Sequence, residues 1–119
     1  MKIDRAVKAL GALAQDTRLR VFRLLIEAGQ DGMAAGDIAR RLDVPPNTLS
    51  AHLQVLTNAG LAYSERDSRR MIYRIEFEAL RELLSFLVED CCKGRTEVCA
   101  PLIDALALGD CNAGTRAAK

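Results

Sequence analysis

Apolar residues recur at helical spacing through most of this chain, and the period breaks once. Ile3, Val7, Leu10 and Ala14 set a first short amphipathic helix over 3–14. Asp16 or Thr17 can cap a second, which runs to about Ala28 with Leu19, Phe22, Leu25 and Ile26 on one face and Gly29 as its C-terminal cap. Residues 30–35 read as a loop. Gly36–Leu42 makes a third short helix in which Ile38, Ala39 and Leu42 are apolar. Asp43-Val44 is a turn, and Pro45-Pro46 opens a fourth helix, because proline fits a helix's first turn and nowhere deeper. That helix sends Leu49, Leu53 and Leu56 inward and stops at Gly60.

From 61 to 76 the period changes. Leu61-Ala62-Tyr63-Ser64 and Met71-Ile72-Tyr73-Arg74-Ile75 read as two strands about the polar tip Arg66-Asp67-Ser68-Arg69-Arg70, a β-hairpin whose tip holds no glycine. A long last helix, Phe77–Cys92, carries Leu80, Leu84, Leu87, Val88 and Cys91 in register, and Leu83 and Phe86 widen its apolar face. Gly94 can end it. Residues 95–109 have room for another short helix after Pro101, and 110–119 read as frayed. The fold class is mainly α with a small β-hairpin, in the winged helix-turn-helix order.

Composition narrows the function. A chain of 119 residues is one domain, and 50% apolar content excludes bulk disorder. Two Tyr, three Phe and no Trp leave too few rings for a platform that stacks single-stranded bases. Charged residues at the N-terminus and the absence of any apolar run near roughly 18 residues predict a cytoplasmic protein with no membrane partner. The net charge of +1 excludes a histone-like binder. That total conceals a division: residues 1–75 hold twelve basic and eight acidic side chains, residues 76–119 five and eight. A basic first part can face a polyanion while the rest stays soluble.

The fourth helix and hairpin supply the matching chemistry. Val44–Ser64 contains no Lys, Arg, Asp or Glu, which is unusual for a solvated helix face. Asn47, Thr48, Ser50, His52 and Gln54 offer neutral donors and acceptors, and Ala51 offers a contact for a thymine methyl. Arg40 and Arg41 flank them on one side; Arg66, Arg69 and Arg70 do so on the wing. Phosphate contacts supply affinity and base contacts supply specificity, so double-stranded operator DNA is the expected partner. These residue types also have structural uses. Ser, Thr and Asn cap helices, and His52, three residues after Leu49, sits where a packed histidine would.

Leu13-Ala14-Gln15-Asp16-Thr17-Arg18-Leu19-Arg20, Leu24-Leu25, Ser50-Ala51-His52-Leu53-Gln54-Val55-Leu56 and Ala59-Gly60-Leu61 resemble the ArsR/SmtB family of metal-sensing bacterial repressors over roughly residues 5–90. Two positions depart from the family pattern: Pro45 stands where a capping residue is usual, and the wing lacks its usual glycine. The resemblance implies a homodimer, joined through its first and last helices, that represses until an inducer binds. The wide apolar face of 77–92 independently calls for a partner. The expected organisation is a DNA-binding and dimerisation domain over 1–92 and a cysteine-bearing sensor segment over 91–119.

All four cysteines fall in the last 29 residues. Cys91 and Cys92 end the last helix and Cys99 follows across Gly94. Three thiols with no nearby histidine form a soft, sulfur-only set. Trivalent arsenic or antimony takes three thiolates in a pyramid, so arsenite or antimonite is the expected inducer at Cys91, Cys92 and Cys99. The segment 90–99 is similar to the family's C-terminal arsenite type, with a vicinal cysteine pair and a third cysteine beyond a glycine. A zinc or cadmium site would need a fourth ligand, from Cys111, Glu97 or a second chain. A redox-switched repressor would pair Cys99 with Cys91 or Cys92. Cys111 reads as incidental. No enzyme and no catalytic cofactor are expected: a cysteine nucleophile needs a base, and the one histidine lies far off in a motif with another role.

Overall fold

A computed structural model describes the backbone of residues 1–92 and the side chains of residues 1–88. The readings of Gly94, 95–109 and 110–119 lie outside the described residues. Among the described residues there are five helices: α1 Ile3–Leu13, α2 Asp16–Ala28, α3 Ala35–Leu42, α4 Pro46–Asn58 and α5 Phe77–Cys92. A short 3-10 turn, Gly29–Asp31, follows α2. Strands β1 Met33–Ala34, β2 Ala62–Asp67 and β3 Arg70–Ile75 form one antiparallel sheet in the order β1-β3-β2. Met1–Leu83 is one compact unit, and α5 begins within it. Among the described residues no helix is long and apolar enough to cross a membrane.

The core of that unit joins every layer. Val21 and Leu25 from α2, Ile38 from α3, Leu49, Leu53 and Leu56 from α4, and Leu61 and Ile75 from the hairpin are all fully buried. The inward face read for α4 is therefore the face observed. Its start is one residue later than Pro45-Pro46 suggests: Pro45 is the N-cap and Pro46 the first helical residue. Between α3 and α4, Asp43 takes a left-handed conformation (φ 55°) and the Val44 amide donates to Ala39 O at 3.0 Å. That closure satisfies the end of α3 and makes a tight turn.

Four expectations need correction. The first concerns α1, whose buried residues are Ala6, Ala9 and Ala12, packed towards α2 and α4. Ile3, Val7 and Leu10 instead stay 65%, 62% and 41% exposed. Alanine lets helix backbones approach closely, so the small face goes inward. Second, α2 buries Val21, Phe22, Leu24 and Leu25, leaving Leu19 and Ile26 exposed. Its cap is Gln15, whose side chain accepts from the Arg18 amide at 2.8 Å; Asp16 lies inside the helix and pairs with Arg20. Third, the supposed loop at 30–35 contains β1, paired through Met33↔Tyr73 and Ala34↔Ile72, so the sheet has three strands. Fourth, the five-residue tip shrinks to Ser68-Arg69, because Arg66↔Met71 and Asp67↔Arg70 are still paired. Ser68 supplies the positive φ (63°) that a glycine would usually provide.

Candidate nucleic-acid interface

Once Leu49, Leu53 and Leu56 point into the core, the opposite side of α4 is fixed by helical geometry. Asn47, Thr48, Ser50, Ala51 and Gln54 are all exposed there, as is Val55. Gln54 donates to Asn58 one turn on at 2.9 Å, so its amide is partly held along the helix. No side chain caps the first turn of α4. Asn47, Thr48 and Ser50 thus keep their polar groups on the outer surface instead of spending them on the helix start.

His52 differs from its neighbours. It is half-buried, and its Nδ1 lies 3.4 Å from Arg18 Nη1. Arginine has only donors, so in this contact Nδ1 is the acceptor. Arg18 also donates from Nε to Ala12 O at 2.6 Å. One side chain on α2 therefore links the end of α1 to α4. Sequence reasoning missed Arg18, because nothing in local spacing reports a contact made across 34 residues.

The flanking arginines fall into distinct settings. Arg66 and Arg69 are exposed, Arg69 in the turn of the wing itself. Cross-strand partners share a sheet face, so Arg70 and Asp67 lie on one side of the ribbon and Arg66 and Met71 on the other. Arg41 is exposed at the end of α3. Arg40 and Arg70 both reach Asp37, a residue of the first turn of α3 that the sequence reading did not single out. Arg74 donates to Gln30 O at 2.7 Å and to Glu65 at 2.5 Å, tying the 3-10 turn and β2 to β3. A groove between α3 and the wing is lined by Arg40, Arg41, Arg70 and Arg74 together with Asp31, Asp37 and Asp67.

Cys91 and Cys92 are the last two residues of α5. Cys99 lies outside the described residues, as does Cys111. Among the described residues no group of three or more His, Cys, Asp or Glu is arranged to hold a metal ion.

A tight helix pair, an outward second helix free of charge and an arginine-bearing wing define a winged helix-turn-helix regulator that binds DNA. The comparisons with known proteins agree. The helix-turn-helix domain family matches residues 13–62. The HTH-type transcriptional regulator YgaV of Escherichia coli is 30% identical over 84 residues, covering 71% of this chain and 83% of YgaV. A Halobacterium salinarum protein, provisionally named arsenical resistance operon repressor ArsR, is 32% identical over 72 residues, 60% of this chain and 55% of its own. Among solved structures, the homodimeric winged helix-turn-helix DNA-binding domain Mb0332 from Mycobacterium bovis superposes with a TM-score of 0.61 at 28% identity, covering 80% of this chain and 85% of that one. The chain belongs to the ArsR/SmtB family of helix-turn-helix transcriptional regulators.

Proposed function

We propose that the protein is a homodimeric repressor that leaves its operator when trivalent arsenic or antimony binds Cys91, Cys92 and Cys99. The observation that carries the sensing half is the donor set: three thiols, with two adjacent at the end of α5. Sulfur-only coordination suits a soft trivalent metalloid. The name of the Halobacterium relative supports the same ligand class.

On this reading Asn47, Thr48, Ser50, Ala51, His52 and Gln54 read base edges in the major groove. Arg40, Arg41, Arg66, Arg69 and Arg70 contact phosphates. Ile3, Val7 and Leu10 of α1 cover the same residues of a second copy, which explains their exposure in the single chain. The resulting dimer presents two recognition helices about one DNA turn apart. Thiolate binding ties the end of α5 to Cys99 and biases the orientation of the subunits. Near-complete release needs a difference in ligand affinity between the two states of roughly 5 kcal/mol, which takes a 1:99 population to 99:1. Residues 1–92 then form the DNA-binding and dimerisation part, and 91–119 the sensor segment.

The test begins by selecting the operator from a randomised duplex library. Its release is then titrated with arsenite, antimonite, zinc and cadmium. Wild type should release with the first two, while Cys91→Ser, Cys92→Ser and Cys99→Ser should bind the operator and stay bound. Release by zinc or cadmium would assign a four-ligand metal sensor instead. Peroxide-dependent release without metalloid would assign a thiol switch. Induction retained in both Cys91→Ser and Cys92→Ser overturns the site.

A further inference from the structure

Three carboxylates, Asp31, Asp37 and Asp67, line the groove between α3 and the wing, and Asp37 is the one bonded to an arginine on each side. We propose that Asp37 sets a two-arginine clamp for one backbone phosphate of the bound DNA; the inference rests on the DNA-binding reading above. Asp37 lies in the first turn of α3. Its Oδ1 accepts from Arg40 Nη2, three residues on. Its Oδ2 accepts from Arg70 Nη2 at 2.6 Å, across 33 residues of sequence. Both oxygens are thus used, one towards α3 and one towards the first residue of β3. The contact is a tertiary tie between the reading unit and the wing.

The exposure of the arginines says what the tie is for. Arg40 and Arg70 keep side-chain exposures of 76% and 58%, while Asp37 is reduced to 35%. A guanidinium has five N–H donors in a planar fork, and these pairs use one from each. The remaining donors open to solvent in a groove that Arg41 and Arg74 also line, with Asp31 and Asp67 as its other carboxylates. Two free guanidinium groups so close would repel and swing apart. The carboxylate offsets that repulsion and fixes their spacing, and the trio keeps a charge of +1. A phosphate, anionic and with several acceptor oxygens, matches two forks held side by side. Asp37 is therefore a positioning residue: it sets the angle at which the wing reaches DNA, and touches none itself.

The test compares Asp37→Asn with wild type on two duplexes, the selected operator and a scrambled sequence of equal length, across a salt series. On the scrambled duplex the variant should show a log–log salt slope steeper by about one, because an opposing charge is gone. The preference for operator over scrambled DNA should fall about fivefold, the scale of two exposed ion pairs, because the wing is no longer held in register. In an Arg70→Gln background, Asp37→Asn should leave that preference unchanged. Slope and preference both unaltered by Asp37→Asn overturn the proposal. So does an equal loss on both duplexes with an unaltered slope and a lowered melting temperature, which gives Asp37 a role in stability alone. A wild-type chain that binds neither duplex overturns the DNA-binding reading together with the clamp.

Discussion

Two glycines of nearly the same conformation separate backbone strain from steric contact. Gly29 has φ 65° and ψ −144°, and Gly32 has φ 69° and ψ −168°. An L-residue at either position is strained, at a cost of about 1–3 kcal/mol. The surroundings differ. A Cβ on Gly29 would meet nothing within 4 Å. A Cβ on Gly32 would lie 2.7 Å from Tyr73 O, 2.7 Å from Arg74 Cγ and 2.8 Å from Ile72 Cγ2. Tyr73 is on the middle strand of the sheet, paired to β1 on one side and β2 on the other, so its carbonyl has no room to retreat. Arg74 is held by its bonds to Gln30 and Glu65.

Overpacking of this kind adds about 1–3 kcal/mol. Gly29→Ala should therefore cost about 2 kcal/mol and Gly32→Ala about 4 kcal/mol. For a domain of this size each kcal/mol moves Tm by about 4–8 °C, so the two variants should melt about 8–16 °C apart. Thermal and urea melts followed by circular dichroism, at one fixed protomer concentration, measure the gap. Melting temperatures within about 2 °C of each other would refute the contact argument, since strain alone would then account for both.

Four further outcomes are expected. Leu53→Ala, at a fully buried position, should destabilise by about 2–5 kcal/mol in urea melts, whereas Val55→Ala on the exposed side of α4 should stay within about 0.5 kcal/mol. Arg69→Ala at the wing turn should weaken DNA binding and lower its salt slope by about one, and a slope left unchanged speaks against that phosphate contact. Val7→Glu should shift sedimentation from dimer to monomer without lowering helix content, since the side chain is 62% exposed in the single chain. Arg81 donates to Glu78 and holds its carboxyl below the usual range. The favourable contact is present above the ordinary glutamate range and lost as pH falls through the lowered value. Arg81→Gln should return the Glu78 carboxyl signal to the ordinary range in an NMR titration.

Much of this fold was readable from pattern alone because its strongest signals are local. Pro46 starts α4, Gly29 ends α2, and Leu49, Leu53 and Leu56 recur at the spacing that buries one helical face. The misses have two causes. β1 has two residues and exists through its pairing with Tyr73 and Ile72, far along the chain, so no local period announces it. Gln15 outcompetes Asp16 as a cap through the geometry of one turn. For the site, the exposed face of α4 follows from the absence of charge over 44–64. Asp37 and Arg18 do not, since each owes its role to a partner more than thirty residues away.

The first helix shows where hydrophobic pattern stops being informative. Ile3, Val7 and Leu10 are the most apolar stripe on α1, and periodicity assigns the strongest stripe to the core. The chain buries Ala6, Ala9 and Ala12 instead. Both stripes recur at helical spacing, and pattern ranks them by hydrophobicity, not by the space available opposite. Three alanines fit against α2 and α4 because those helices already fill the interior with Val21, Leu25, Leu53 and Leu56. A larger stripe would overpack that interior. The bulky residues are left for a surface with room to receive them, and a second α1 is the surface the dimer proposal supplies. A hydrophobic period thus reports that a face will be covered, while the sizes of the residues beside it decide whether the cover comes from the same chain.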